Sequence, residues 1–210
     1  MESAVSDLVR QKLLEGIGVI QAAANDTALH AALAAAAEAT VKALQSGCKL
    51  MVAGNGGSAA DAQHLAAEFV CRLSDDRPTM RAIALTANSS ILTAAANDLG
   101  YQYVFARQLE ALARPGDLFM AISTSGNSPS ILRALELSRQ MGIVTIGLTG
   151  QTGGKMPPLC DYCLRVPSHV TMYIQQAHLA LEHIFCMIVE RRLFGAQMPQ
   201  SSPKISAAEH

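Results

Sequence analysis

Two short polar stretches of this sequence carry residues that could bind an anion and perform acid–base chemistry. The first, Gly54-Asn55-Gly56-Gly57-Ser58, follows an apolar run and leads into a helical pattern. Its glycines can bring backbone N–H groups close to an anion at a helix N-terminus. Four residues apart in that helix, His64 and Glu68 project from one face, where they could act as acid and base or as metal ligands.

The second stretch, Ser123-Thr124-Ser125-Gly126-Asn127-Ser128, places four hydroxyls directly before a predicted helix. Hydroxyls and N–H groups there can supply most of the donors that a phosphate needs without Lys or Arg. An ordinary Ser/Thr-rich turn with one capping residue is the alternative. Neither stretch has the lysine of a Walker motif or the G-x-G-x-x-G order of a dinucleotide fingerprint, which disfavours nucleoside triphosphates and NAD.

The surrounding pattern predicts an α/β fold. Short, continuous apolar runs alternate with helical patterns, which indicates a parallel sheet covered on both faces. The predicted strands are residues 49–54, 81–86, 118–122, 143–148 and 162–166. Both polar stretches follow strands, and ligands of such sheets bind beyond the carboxyl ends of the strands, so we expect the two stretches to face one crevice.

The predicted helices are residues 3–24, 27–45, 58–73, 91–97, 103–113, 129–141 and 172–194. Two of them precede the first strand, with Asp26 or Thr27 as the cap of the second. This leading hairpin is either an interface between subunits or a layer that packs on one face of the core, and the pattern leaves both open.

The length of 210 residues fits one domain, which we expect to span residues 1–196 and to be followed by a disordered polar tail, residues 197–210. No apolar run approaches the roughly 20 residues of a membrane span, and the first residues lack the apolar core of a signal peptide, which predicts a soluble cytoplasmic protein. The net charge of −1, with only five Phe and four Tyr, argues against nucleic acid as a ligand.

Five cysteines without an export signal predict reduced thiols. Cys160 and Cys163 form a C-x-x-C that is either a pair of packing thiols or a metal or redox site. The low charge and the abundance of Ala, Leu and Ile suggest that other subunits cover part of the helix surface.

The sequence resembles the sugar isomerase (SIS) domain family and, within it, the phosphoheptose isomerases, over about residues 1–196. The resemblance implies a three-layer, flavodoxin-like sandwich with a five-stranded parallel sheet, an N-terminal helical hairpin (residues 1–47) and a homotetramer. The residues that carry it are residues 54–58, Asp61 to His64, Glu68, Arg72, Arg77-Pro78, residues 94–98, Gly116-Asp117, the serine loop (residues 123–128), residues 166–168, Ile174-Gln175, His178 and His183.

The resemblance also implies a reaction and the residues that perform it. The reaction is the isomerisation of sedoheptulose 7-phosphate to D-glycero-D-manno-heptose 7-phosphate through an enediol, the first step of ADP/GDP-heptose biosynthesis for lipopolysaccharide. Glu68 and His183 are implied as the acid/base pair, in either order. The implied substrate contacts are Asn55, Gly56, Gly57, Ser58, Glu68, Asn97, Asp98, Ser123, Thr124, Ser125, Ser128 and Gln175. The implied zinc ligands are His64, Glu68, Gln175 and His183.

Residue types and spacing agree with part of this assignment. Gln175 and His183, eight residues apart, lie about 80° apart around a helix, so one cleft could see both. Carboxylates and imidazoles are competent groups for moving protons at a carbon beside a carbonyl. We expect His178 to be structural or to support a ligand rather than to be one itself.

Three positions depart from the family pattern and put the identity of the substrate in doubt. Tyr173 replaces a basic residue, Gln176 replaces Glu, and Asn88 stands near a position where Asp is common. Two alternatives without catalysis are an SIS protein that associates with the bacterial replication initiator and a phosphosugar-sensing module.

Overall fold

Five parallel strands form one sheet in the order β2-β1-β3-β4-β5. The structure, a computed structural model, describes residues 2–73 and 76–195. The predicted tail, residues 197–210, lies outside the described residues. The elements are α1 Glu2–Ala24, α2 Thr27–Gln45, β1 Leu50–Gly54, α3 Gly57–Val70, β2 Ala82–Ala84, α4 Ser89–Leu99, α5 Ala106–Leu112, β3 Leu118–Ile122, α6 Pro129–Gln140, β4 Val144–Thr149, β5 Tyr162–Arg165 and α7 Thr171–Phe194, with single 3₁₀ turns at Tyr101–Tyr103 and Pro157–Leu159.

The predicted fold class is confirmed, and most element ends agree within about two residues. Asp26 caps α2 by accepting hydrogen bonds from the N–H groups of Ala28 and Leu29. The helix predicted over residues 58–73 ends at Val70, because the chain turns there and the Phe69 carbonyl accepts from the Met80 N–H. The helix predicted over residues 103–113 is divided into a 3₁₀ turn and the shorter α5.

The sheet separates two hydrophobic clusters, because successive strand side chains point to opposite faces. Leu50 and Val52 of β1 pack in the cluster that also contains residues of α2, α3 and α7. Met51 and Ala53 pack in the other cluster, with residues of α4, α5 and α6. The two helix layers therefore enclose the sheet as a three-layer sandwich.

The two helices of the leading hairpin differ in how they pack. α2 lies against α7 and β5, and its apolar residues Leu29 and Leu33 are buried in the core. α1 contacts α7, and its residues Val19 and Ala23 pack in the core, but most of its large apolar residues are exposed. They are Val5, Leu8, Val9, Leu13, Leu14, Ile17 and Ile20. α2 is thus a core layer, whereas α1 keeps an apolar face toward solvent.

Candidate active site

The strand order places a crevice between the ends of β1 and β3. These strands are neighbours, but the helices that follow them, α3 and α6, pack on opposite faces of the sheet. The loops after the two strands therefore separate, and such a switch point is where sheets of this order bind ligands. Both polar stretches of the sequence lie here, as predicted.

The serine loop, residues 123–128, forms a supported turn at the N-terminus of α6. Gly126 has a φ of 64°, and any Cβ there would collide with the backbone at Gly153. The loop after β4 holds the turn through the Gly150 N–H to the Thr124 carbonyl (3.0 Å) and the Lys155 N–H to the Gly126 carbonyl (2.9 Å). Within the described part of the chain, the N–H groups of Thr124 and Ser125 have no acceptor. These donors and the positive end of α6 suit a phosphate.

Asn55 connects the two loops. Its Nδ2 donates to Ser128 Oγ (2.7 Å) and Ser130 Oγ (3.0 Å), and its Oδ1 accepts from the Tyr101 hydroxyl (2.7 Å). Both polar atoms of the Asn55 amide, a predicted substrate contact, are therefore hydrogen-bonded to other residues of the protein. Sequence reasoning missed Ser130 and Tyr101, since nothing in their local pattern distinguishes them from an ordinary helix residue and an exposed aromatic.

His64, Glu68 and His183 form one cluster between α3 and α7. The two histidine Nε2 atoms are 2.8 Å apart, and His64 Nε2 is 3.5 Å from Glu68 Oε1. One ligand atom from each of the three side chains lies within 4.8 Å of the others. Glu68 Oε2 is buried and has no hydrogen-bond partner among the described residues. The structure thus joins a histidine with residues of another helix more than a hundred positions earlier.

Gln175 lies apart from this cluster. A Cβ on Gly57 would collide with the Gln175 amide, so Gln175 sits beside the first turn of α3. It precedes His183 by eight residues of α7, roughly 12 Å along the helix axis. Of the four predicted metal ligands, the structure brings three together and places Gln175 two helical turns away.

The remaining predicted contacts differ in exposure. Ser58 is only 4 % exposed, because it packs beneath Gly54, while Gly56 and Gly57 are exposed at the start of α3. Asn97 and Asp98 are exposed at the end of α4, and Asn97 Nδ2 donates to Asp98 Oδ1 (2.7 Å). The bond from nearby Tyr101 to Asn55 places this end of α4 at the rim of the crevice.

The three departures from the family pattern have structural partners. The Tyr173 hydroxyl donates to Glu15 Oε2 of α1 (2.5 Å). A Cβ on Gly16 would come within 2.8 Å of Gln176 Oε1, so Gln176 also faces α1. Asn88 caps α4 by accepting from the Ile91 N–H (3.0 Å). These contacts give each residue a role in packing or capping.

Three further titratable groups lie on the two helices of the cluster: buried His178 and Glu182 on α7, and half-buried Asp61 on α3. His178 is fully buried with Nε2 3.3 Å from the Thr149 carbonyl, and its burial lowers its pKa to about 4. Burial, aided by nearby Asp61, raises the pKa of Glu182 to about 9. Burial also raises the pKa of Asp61. His178 is therefore neutral near pH 7, in agreement with its predicted structural role.

The serine loop and the His64–Glu68–His183 cluster lie at different heights along α3. Gly57, the first residue of α3, is beside Asn55, which binds Ser128 of the serine loop. Glu68 follows Gly57 by eleven residues, roughly 16 Å along the helix axis. Within one chain, the serine loop and the His64–Glu68–His183 cluster are therefore well separated.

Comparison with known proteins agrees with this fold and these residues. A family model described as the SIS domain matches residues 17–150. The phosphoheptose isomerase of Aneurinibacillus thermoaerophilus is 47 % identical over 190 residues, covering 90 % of this chain and 96 % of that protein. Phosphoheptose isomerase 2 of Campylobacter jejuni is 57 % identical over 155 residues, covering 74 % and 77 % of the two chains.

A solved structure shows the same architecture. The phosphoheptose isomerase of Neisseria gonorrhoeae superposes with a TM-score of 0.83 at 37 % identity, covering 89 % of this chain and 98 % of that one. Fold, glycine turn and serine loop together define a phosphosugar-binding SIS-domain protein. The identity over nearly the whole length goes further, and the chain belongs to the phosphoheptose isomerase family of SIS-domain proteins.

Proposed function

We propose that this protein is an aldose–ketose isomerase that converts sedoheptulose 7-phosphate to D-glycero-D-manno-heptose 7-phosphate, the first step of heptose nucleotide synthesis. The observation that carries the proposal is the His64–Glu68–His183 cluster, in a chain about half identical to phosphoheptose isomerases. The relatives described above are isomerases, and they lend no support to a non-catalytic initiator-binding role.

The proposed acid/base pair suits an enediol mechanism. Glu68 removes a proton from the carbon beside the carbonyl and returns it to the former carbonyl carbon, while His183 moves a proton between the two oxygens of the enediol. The Glu68 side chain is 16 % exposed with a free Oε2, so it can accept a proton without first breaking a protein hydrogen bond. Each positioned proton transfer contributes typically about 10²- to 10⁴-fold to the rate.

Thr124, Ser125 and Ser128 are the proposed phosphate contacts. The other predicted contact, Ser123, is only 7 % exposed, and its N–H donates to the Leu148 carbonyl. The N–H groups of Thr124 and Ser125 have no acceptor among the described residues, and Ser128 is the N-cap of α6. Asn55 donates to Ser128 Oγ, which also lies 3.2 Å from Ser130 Oγ. When Ser130 is the donor of that hydroxyl pair, the Ser128 proton is available to a phosphate oxygen. Uncharged donors and a helix dipole bind phosphate here without a lysine or arginine.

The three-residue cluster fits zinc. Two imidazole Nε2 atoms and a carboxylate are ligands that catalytic zinc prefers, with a fourth position left for water or substrate. The two Nε2 atoms are 2.8 Å apart, and one ligand atom from each of the three side chains lies within 4.8 Å of the others, so the three residues would hold one ion together. Zinc held by Glu68 and His183 would weaken both as proton-transfer groups, so a bound ion would have to shift during turnover, polarise a substrate oxygen as a Lewis acid or serve mainly to order the site. Gln175 would become a fourth ligand only by leaving Gly57.

A homo-oligomer, the tetramer that the family resemblance implies, is part of the proposal. The exposed apolar face of α1 and a groove of about 310 Å³ between α1 and α7 offer apolar surface to a second copy. An extended seven-carbon sugar phosphate spans roughly 10 Å from ordinary bond lengths, which is shorter than the rise of α3 from Gly57 to Glu68. A second copy that brings its cluster to this serine loop would close that gap.

We place the enzyme in the cytoplasm. No helix within residues 2–73 and 76–195 combines the length and apolarity that a membrane crossing requires. All five cysteines are free, which suits a reducing compartment.

The test measures turnover of sedoheptulose 7-phosphate by the purified protein, with and without added Zn²⁺. The measured quantity is the rate at which the aldose forms. Glu68→Gln should lower kcat by at least about 10²-fold while leaving substrate affinity within a few-fold. Glu136→Gln, which removes an exposed carboxylate on α6, is the matched control and should behave as the wild type. Wild-type protein without turnover under both conditions would refute the proposal.

A further inference from the structure

A buried ion pair lies behind the proposed acid/base cluster. The Arg77 side chain is 3 % exposed and that of Glu190 is 0 % exposed. Glu190 Oε1 accepts from Arg77 Nε (2.6 Å) and Nη2 (2.5 Å). The pair joins the segment after α3 to the last turns of α7.

The Arg77 guanidinium also caps the C-terminal end of α3, where it binds the backbone carbonyl of Glu68, the proposed base. Arg77 Nη2 donates to the Glu68 carbonyl (2.5 Å), and Nη1 donates to the carbonyls of Phe69 (2.8 Å) and Pro78 (3.1 Å). Together with the two contacts to Glu190, the five N–H groups of this arginine meet five acceptor contacts. A guanidinium is the one side chain that can make this planar set of contacts.

Glu190, which pairs with Arg77, lies on α7, the helix that carries His183. It stands seven residues, or two turns, after His183 on α7. Phe69 of α3 stacks on Phe185 of α7 with 5.9 Å between ring centroids, and Phe185 comes between His183 and Glu190 along α7. The ion pair and this stack therefore fix the height of α3 against α7, and with it the height of Glu68 against His183.

Stability alone is a poor account of such a pair. Buried ion pairs lose most of their attraction to desolvation, and apolar side chains of similar volume often stabilise as much or more. What apolar side chains cannot do is bind the Glu68 and Phe69 carbonyls.

We propose that Arg77 and Glu190 are positioning residues that set the Glu68 carboxylate against His183. The inference rests on the proposed isomerase function, and it assigns neither residue a contact with substrate. A displacement of about 1 Å in a catalytic group lowers rates by up to about 10²-fold, and loss of a supporting shell weakens metal binding by about 10- to 100-fold.

The experiment compares Arg77→Met, Glu190→Leu and the double variant Arg77→Met/Glu190→Leu. Each single variant leaves an unpaired buried group and should lower Tm strongly, whereas the double variant should recover most of that Tm. If the pair positions Glu68, the double variant keeps a kcat at least about tenfold below wild type with KM within about twofold. Its affinity for Zn²⁺, measured by titration without substrate, should also fall about tenfold.

Arg77→Lys covers the case in which the double variant does not fold. Lysine keeps the charge beside Glu190 but has a single nitrogen, so it cannot reach Glu190 and both carbonyls at once. It should lower kcat while it leaves KM nearly unchanged. Lys49→Met is the control, since it breaks the half-buried Lys49–Asp117 pair before β1 and should lower Tm but not kcat.

The positioning role would be overturned if the folded double variant had the kcat and the Zn²⁺ affinity of the wild type. It would also be overturned if Arg77→Lys had the kcat of the wild type. Absence of turnover in the wild type would instead refute the isomerase proposal, and the Zn²⁺ titration would still report on the position of Glu68.

Discussion

Replacing Asn55 by Asp tests how the serine loop binds phosphate. The two side chains have the same shape, and the Tyr101 hydroxyl can still donate to the retained oxygen. The lost Nδ2, however, is the group that donates to Ser128 and Ser130. In the variant, the Ser128 hydroxyl turns its proton toward the new carboxylate and away from the ligand.

The magnitude follows from the distances. Asn55 Nδ2 is 2.7 Å from Ser128 Oγ. A phosphate oxygen bonded to that hydroxyl lies about 2.7 Å beyond it, so the new charge is about 5 to 6 Å from the phosphate. At an effective dielectric constant of about 20 the repulsion is about 3 kcal/mol, which solvent at this half-exposed site reduces to about 1–2 kcal/mol. Phosphate affinity should fall about 5- to 30-fold.

The assay is calorimetric titration with inorganic phosphate and with sedoheptulose 7-phosphate at low salt. Gln45→Glu is the matched control, because it makes the same change of charge on an exposed residue at the end of α2, just before the amino end of β1. The reasoning is refuted if Asn55→Asp binds phosphate within twofold of wild type, or if Gln45→Glu weakens binding as much.

Three further predictions concern single residues. Ser125→Ala should raise KM several-fold with kcat nearly unchanged, because this exposed hydroxyl is a proposed phosphate contact; equal losses in kcat would contradict that role. Gly57→Ala should lower activity by displacing Gln175 while Tm holds or rises, because alanine favours helix over glycine by about 1 kcal/mol; wild-type steady-state kinetics would show that Gln175 is dispensable there. His178 has a pKa of about 4 when folded, below its unfolded value, so the unfolded chain binds the extra proton and the protein loses stability as pH falls from about 6.5 to 4. Chemical denaturation across that range should show His178→Gln lacking this component, at most about 1.4 kcal/mol per pH unit, whereas parallel curves for both proteins would exclude it.

Local patterns in the sequence predict much of this protein. Apolar runs and helical spacing give the parallel α/β class, and Asp26 and Asn88 stand where caps are needed. The i, i+4 spacing of His64 and Glu68 places them on one face of α3. These features depend only on neighbours within a turn or two, so the sequence can show them directly.

Contacts between distant segments were decided only by the tertiary structure. Local patterns do not show that Asn55 of the first loop donates a hydrogen bond to Ser128 of the serine loop, or that Gln175 lies beside Gly57. Arg77 and Glu190 are 113 positions apart, and no local pattern around either residue shows that the two charges pair. Their partners are set by the strand order and by the packing of α3 on α7, and no periodicity in the chain records which helix will lie beside which.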